Sequence, residues 1–288
     1  MGEKIGIIAD STADFPRGMA KELDIKYAPV HIIINEEDHL DGIDITKKEV
    51  LGYMKKGYDV QTAPPSPSEY ADIFDNMLTK YDKIISLHVS SQFSDCYKSA
   101  KNALNLLYVD QEERIKLIDT KNVTGGQALI AKKTRELISK GVSFKDIENK
   151  LNPFMKNSPI CFAVEDLKWL QKSGRMGTLT ALFGTLLKIK PVIGLIEAKL
   201  KPVGKYKGKQ QAINGMVKKA YEISQQIPKG YEIWVSHIDD VNSGKYMQEK
   251  LSEILDKNIN EIKMVEIGPT IAVHAGPGCC GWAIMPSG

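Results

Sequence analysis

Residues 83–100 read KIISLHVSSQFSDCYKSA. An apolar run, Ile84 to Val89, stops at a cluster of hydroxyls, and a helical pattern follows, "SDCYKSAKNALNLLY", from 94 to about 108. The run, whose apolar members are Ile84, Ile85, Leu87 and Val89, reads as a strand. The same succession recurs on either side. Upstream, "KIGIIA" (4–9) leads into "DSTADFP"; downstream, "RIKLID" (114–119) leads into a helix around 123–140 and another near 143–155. Strand alternating with helix predicts a parallel α/β sheet in the first half of the chain.

Local signals fill the intervals. "KYAPVHIIIN" (26–35) is a second strand candidate, ending at the acidic turn "NEED". Thr46 and Glu49 make a capping box for a short helix through about Lys56. Ser66-Pro67-Ser68-Glu69 combines a second box with proline at the first helical position, predicting a helix from 67 to about 80. The second half has another rhythm. "SPICFAVED" reads as a strand and "DLKWLQKSG" as a short helix. "KPVIGLIEAKLKPVGKYKGKQQ" (190–211) reads as an antiparallel ribbon running into a helix. A strand at "YEIWVSHID", a helix near 241–256 and a strand at "IKMVEIG" complete an α+β pattern. The expected division is an N-terminal α/β domain, 1–155, and a C-terminal α+β domain, 156–288. The segments near 60–80 and 268–288 are the places for a crossing between them.

Composition narrows the function. The 288 residues carry a net charge of +3, which does not point to nucleic acid. The longest apolar stretch, "LTALFGTLLKI", is too short to span a bilayer and contains Lys188, so no stable membrane insertion is expected. No signal peptide is visible, and Gly2 lacks the Ser or Thr that myristoylation expects at position 6. Cysteines at 96, 161, 279 and 280 show no metal spacing. They read as reduced thiols in a cytoplasmic protein, with no metal and no cofactor.

In open α/β sheets ligands bind beyond the carboxyl ends of the strands. Here Asp10, Ser11 and Thr12 follow the first strand, Ser90, Ser91 and Ser94 follow "KIISLHV", and Asp119 and Thr120 follow "RIKLI". Each alone reads as a cap or turn former; three clusters together suggest a polar site. Ser94 is the leading candidate, because a hydroxyl at a helix start can seat an oxyanion. Thr62, in the Pro-rich stretch "QTAPPSPSEY", is no helix cap, which leaves its hydroxyl for a ligand. Arg175, in "KSGRMG", either decorates a helix end or offers a guanidinium to an anion. From Lys188 to Lys219 there are nine lysines against the single acid Glu197, a solvated ribbon or a docking surface.

Near the end, "HAGPGCCG" (274–281) matches G-x-G-x-x-G from Gly276 to Gly281. A dinucleotide fingerprint needs an acid some twenty positions on, but only seven residues follow Gly281 and none is acidic. What remains is His274 before a loop in which Gly276 and Gly278 can expose backbone N–H groups. That arrangement can hold a carboxylate, although a histidine satisfied inside the fold is the plain alternative.

Together, "IADSTADFP", "QTAPPSPSEY", "VSSQFSDCYKSA", "LIDTKNVTGGQAL", "LKWLQKSGRMG", "IKPVIGL" and "HAGPGCCGWAI" resemble, in order and over essentially the whole chain, the DegV family of bacterial fatty-acid-binding proteins. The resemblance implies two α/β domains with a long-chain fatty acid buried between them. It places the carboxylate contacts on Thr62 and Ser94, helped by the backbone N–H of Asp95, with His274 close by. It implies a carrier rather than an enzyme, one that hands its fatty acid to a separate ATP-dependent kinase for acyl-phosphate formation in phospholipid synthesis. Arg175, Lys201, Lys205 and Lys207 are the candidates for docking that partner. Two departures stand out: the family's Thr-Ser-Gln-Pro-Ser is Thr62-Ala63-Pro64-Pro65-Ser66 here, and its Ser-Gly-Thr-Tyr is Ser94-Asp95-Cys96-Tyr97. A serine hydrolase using Ser94 and His274 is the rival, although it lacks G-x-S-x-G and an assigned acid.

Overall fold

In the computed structural model, residues 3–177, 179, 189–227 and 229–288 are described. Gly2 and most of "LTALFGTLLKI", Lys188 included, lie outside them. The first elements are β1 (Ile5–Asp10), α1 (Met19–Glu22), β2 (Ile25–Ala28), β3 (His31–Ile34), β4 (Glu37–Leu40), α2 (Lys47–Lys55), β5 (Val60–Ala63) and α3 (Pro67–Leu78). Next come β6 (Lys83–His88), α4 (Cys96–Leu104), α5 (Val109–Glu112), β7 (Ile115–Asp119), α6 (Thr124–Ser139) and α7 (Ile147–Lys156). The later part adds β8 (Ile160–Ala163), α8 (Lys168–Lys172), β9 (Ile189–Ile196), β10 (Lys199–Lys207) and α9 (Lys209–Ser224). It closes with β11 (Tyr231–His237), α10 (Val241–Leu255), β12 (Lys263–Glu266), α11 (Pro269–Ala275) and β13 (Cys280–Pro286).

The parallel sheet expected of the first half has the order β2-β1-β6-β7. Its chain runs outward from β1 to β2 and later returns to the other side at β6, so the switch point of the topology lies between β1 and β6. Crevices open at such points, beyond the carboxyl ends of the strands. Both capping boxes form as read, Thr46 with Glu49 and Ser66 with Glu69.

A six-stranded sheet, β10-β9-β8-β13-β11-β12, occupies the second half. One face buries Met216, Trp282 and Met247 against α9 and α10. The other face joins Ile160, Leu195 and Ala283 to Ala128–Ala131 of α6 and to Ile7, Ile85 and Leu87 of the parallel sheet. Helix α6 therefore lies between the two sheets, and this accounts for the burial of every residue from Thr124 to Ala131.

Three sequence expectations are corrected. "KYAPVHIIIN" is two strands, not one: β2 pairs with β1, while β3 leaves after Pro29 to join a separate antiparallel sheet, β4-β3-β5. The break falls where proline cannot donate to a ladder. The "NEED" turn is the tip of the β3–β4 hairpin, with Asn35 and Glu36 both at positive φ (48° and 72°), as a two-residue turn of type I′ requires. The glycine loop spans only 276–279, between helix α11 and β13, and Gly281 already belongs to β13, a central strand of the large sheet. The helix read over 94–108 is shorter, ending at Leu104.

Candidate functional site

A cavity of about 270 Å³ opens between the ends of β1 and β6, the large sheet and α11. Most of its wall is apolar, with Val30, Val123, Phe162, Leu195, Leu200 and Ile271 among the lining residues. At one end the chain gathers Thr62, Ser94, Asp95, Arg175 and His274. Residues 212 positions apart meet there: Thr62 Oγ1 and His274 Nε2 are 2.9 Å apart. Thr62 is delivered by β5, whose register sets it opposite Ile32, and His274 by the last turn of α11. Val273, next to His274, packs into the cluster of Ile32, Val50 and Val60, so the apolar contacts of α11 fix the imidazole.

Burial pushes the His274 pKa down to about 3, and the charge of Arg175 adds to the effect. The ring is therefore neutral at physiological pH. Its other nitrogen, Nδ1, is buried without a partner among the described residues, so no acid orients this histidine. Ser94 donates its hydroxyl to Cys96 Sγ (3.1 Å) and accepts from the Cys96 amide (3.3 Å). Helix α4 starts one residue later than Ser94 would need in order to cap it: Asp95 holds the cap position, with no side-chain capping bond. The Asp95 amide has no acceptor among the described residues.

Arg175 joins this polar end. Its Nε donates to the Phe93 carbonyl at 3.2 Å and an Nη to the Ser173 carbonyl, which anchors the guanidinium at the cavity wall. The lysines named with it lie elsewhere. Lys201, Lys205 and Lys207 are on β10, the outer strand of the large sheet, where Lys201 pairs with Glu197 at 3.1 Å. Lys205 and Lys207 are exposed, with no ion pair among the described residues. The rest of the basic run is partly neutralised: Lys190 meets Glu165 at 2.5 Å, and Lys209 meets Glu165 at 3.2 Å and also Asp240.

Most of the other strand-end hydroxyls and acids have structural work. Asp10 accepts from Tyr70, His88 and the Val89 amide, Ser11 donates to Asp41, and Thr120 donates to the His88 carbonyl. Thr12 donates to Gln127 at 2.9 Å while also lining the cavity. The glycine loop does not offer its amides: Gly276 N–H donates to Ala272 and Gly278 N–H to Ile238. The expectation that they would face a carboxylate is corrected, because the turn at the end of α11 and the approach to β13 consume them. Gly276 serves packing instead, at φ 72° with the Trp169 ring lying where a Cβ would sit. All four cysteines are buried free thiols, and burial raises the pKa of each. No cluster of metal-ligating side chains occurs among the described residues. No helix described is long and apolar enough to cross a membrane.

Three polar lining residues were not singled out in the sequence: Thr124, Ser236 and Thr270. Thr124 stands at φ 50°, unusual for a β-branched residue, and nothing in "NVTGG" announces it. A second cavity of about 200 Å³, lined by Asp59, Gln61, Lys172 and Ser173 among others, shares Thr62, Arg175 and His274 with the first. These three residues are the wall between an apolar space and a polar one.

A model of the DegV family of uncharacterised proteins matches residues 4–287. A DegV domain-containing protein of Clostridium acetobutylicum is 33% identical over 293 residues, covering 98% of this chain and 99% of the relative. One of Clostridium perfringens is 30% identical over 279 residues, covering 96% and 97%. Among solved structures, a stearic-acid-binding protein from Eubacterium ventriosum is similar with a TM-score of 0.90 at 28% identity, covering 99% of this chain and 98% of that one. DegV of Bacillus subtilis, a fatty acid binding protein, is similar with a TM-score of 0.86 at 25% identity, covering 99% and 100%. With its fold, its ordered motifs and these full-length matches, the chain belongs to the DegV family.

Proposed function

We propose that this chain is a carrier: it binds one long-chain fatty acid in the apolar cavity and presents the carboxylate to a separate ATP-dependent kinase. The observation that carries the reading is the cavity itself, apolar along its walls and polar at the end where Thr62, Ser94, Arg175 and His274 converge. A C16 tail of roughly fourteen methylenes gains about 11 kcal/mol at about 0.8 kcal/mol each, against an association cost of about 4–15 kcal/mol. The tail thus supplies most of the affinity, and the polar end orients the head. The relatives that bind fatty acids support the same assignment.

A carboxylate held at Thr62 and His274 stands at the wall shared with the polar cavity, which gives an incoming phosphoryl group a route to it. In that transfer a carboxylate oxygen bonds to the γ-phosphorus of ATP and ADP leaves. The exposed Lys205 and Lys207, with Lys201, form the docking surface for the kinase. The chain works as two units, 1–155 and 156–288, with α11 crossing to pack on α2 and β5. The serine hydrolase reading gains no support from the distances: the Ser94 proton goes to sulfur, and His274 pairs with Thr62 rather than with Ser94.

The test is calorimetric titration with palmitate and oleate, followed by incubation of the loaded protein with kinase and ATP. Saturable binding near one per chain and acyl phosphate formed only with all components present are expected. Ester turnover that Ser94→Ala abolishes would replace the carrier with a hydrolase.

A further inference from the structure

Asp95 stands at the polar end of the cavity without structural employment. It lines the cavity and is exposed at its mouth; it occupies the cap position of α4 without capping it. Among the described residues its side chain makes no hydrogen bond or ion pair. Four titratable groups share its own helix: Cys96, buried and protonated, Tyr97, partly buried, and Lys98 and Lys101, both exposed. Arg175, which follows α8, and His274 of α11 line the same cavity. Burial disfavours the guanidinium charge, and the charge of Asp95 acts against that effect.

The charges at this end can be counted. Arg175 contributes one positive charge, Asp95 one negative charge, and the neutral His274 none, so the end is balanced before a ligand arrives. An ionised fatty carboxylate would leave one negative charge in excess in a partly desolvated place. Two carboxyl groups sharing such a site do not both stay ionised. With glycine in place of Asp95, the same end would carry a net positive charge suited to a bare carboxylate.

We infer that Asp95 is a head-group specificity residue: the site takes up its fatty acid together with a proton, so that the two carboxyl groups carry one negative charge between them, opposite Arg175. The inference rests on the fatty-acid reading and adds the protonation state of the bound head. It also implies that a neutral head able to donate a hydrogen bond, such as that of a long-chain alcohol, is accepted.

The experiment is calorimetric titration of palmitate and of hexadecanol into the wild-type chain, Asp95→Asn and Asp95→Gly, at about pH 6 and about pH 7.5. Two buffers of different ionisation heat count the protons. Asp95 is exposed and caps nothing, and circular dichroism checks that both variants fold. For palmitate, the wild type is expected to take up about one proton and to lose roughly thirtyfold in affinity over the interval. Asp95→Asn takes up almost none and changes less than about twofold, because one charged carboxylate then pairs with Arg175. Hexadecanol binds the wild type at both pH values with little change, and Asp95→Gly shifts preference toward palmitate. Parallel pH profiles for wild type and Asp95→Asn, without proton uptake, overturn the inference while leaving fatty-acid binding intact. Failure of palmitate to bind any of the three at either pH overturns both.

Discussion

Replacing Thr62 with valine removes one hydroxyl at the polar end and little else. Valine keeps the branched shape that suits β5, so the register with Ile32 should hold. The lost group is the partner of His274 Nε2 at 2.9 Å, and Nδ1 already lacks one. A buried ring with neither nitrogen satisfied costs about 1–3 kcal/mol. At about 2–4 °C per kcal/mol for a chain of this class, the lipid-free protein should melt several degrees lower. The ligand loses a hydrogen bond to a charged group, about 1.5–3 kcal/mol, or roughly 10- to 150-fold in Kd for palmitate. Because the tail contacts are untouched, the loss should be the same for C12, C14 and C16 acids. Titration of that series against wild type, Thr62→Val and Thr62→Ser is the assay, with serine recovering most of the affinity. Palmitate affinity within twofold of wild type in Thr62→Val, or a loss that grows with chain length, would refute the placement of the head at Thr62.

Further outcomes follow from the same geometry. Leu195→Trp, which fills part of the apolar wall, should weaken C16 binding far more than C12 binding, by about 0.8 kcal/mol for each methylene excluded; a uniform loss would mean the tail lies elsewhere. His274 has a folded pKa of about 3, below the ordinary value near 6.5, so as pH falls the unfolded chain takes the proton first. Its contribution is whole above about pH 6.5 and drains away toward about pH 3, at most about 2 kcal/mol between pH 6.5 and 5. Urea midpoints of His274→Asn should therefore fall less steeply than those of wild type over that interval, and equal slopes would mean the ring is not buried as described. Exchanging Lys201, Lys205 and Lys207 for glutamate should slow acyl-phosphate formation and reduce its salt dependence, with palmitate affinity kept within twofold; an unchanged rate would move the docking surface off β10.

Much of the fold was legible because its signals are local. Ser66-Pro67 and Thr46 with Glu49 specify helix starts within four residues, and Ile84, Ile85 and Leu87 mark a strand, which the structure buries on both faces. What escaped depends on distant partners. The turns at Asn35-Glu36 and Glu197-Ala198 adopt positive φ without a glycine, so their type is unmarked even where, as at "NEED", a turn is read. Strand β13 reads as a glycine loop because Gly281 is present for a neighbour: a Cβ there would meet the Cys161 carbonyl at 2.4 Å. The candidate site shows the same division. Thr62 and His274 could be named as separate residues, but their hydrogen bond requires β5 and α11 to be brought together by Val273 and Ile32. Arg175 read equally as a helix-end decoration or as an anion partner, because its anchors, the Phe93 and Ser173 carbonyls, are invisible in the pattern "KSGRMG".

The central claim is that a single fatty acid occupies the apolar cavity. Native mass spectrometry of the purified chain, paired with lipid extraction before and after incubation with palmitate and oleate, tests it most directly. The account predicts a mass increment of one long-chain fatty acid per chain, recovered in the extract and diminished in Leu195→Trp. A chain that carries no lipid and takes up neither acid would contradict it.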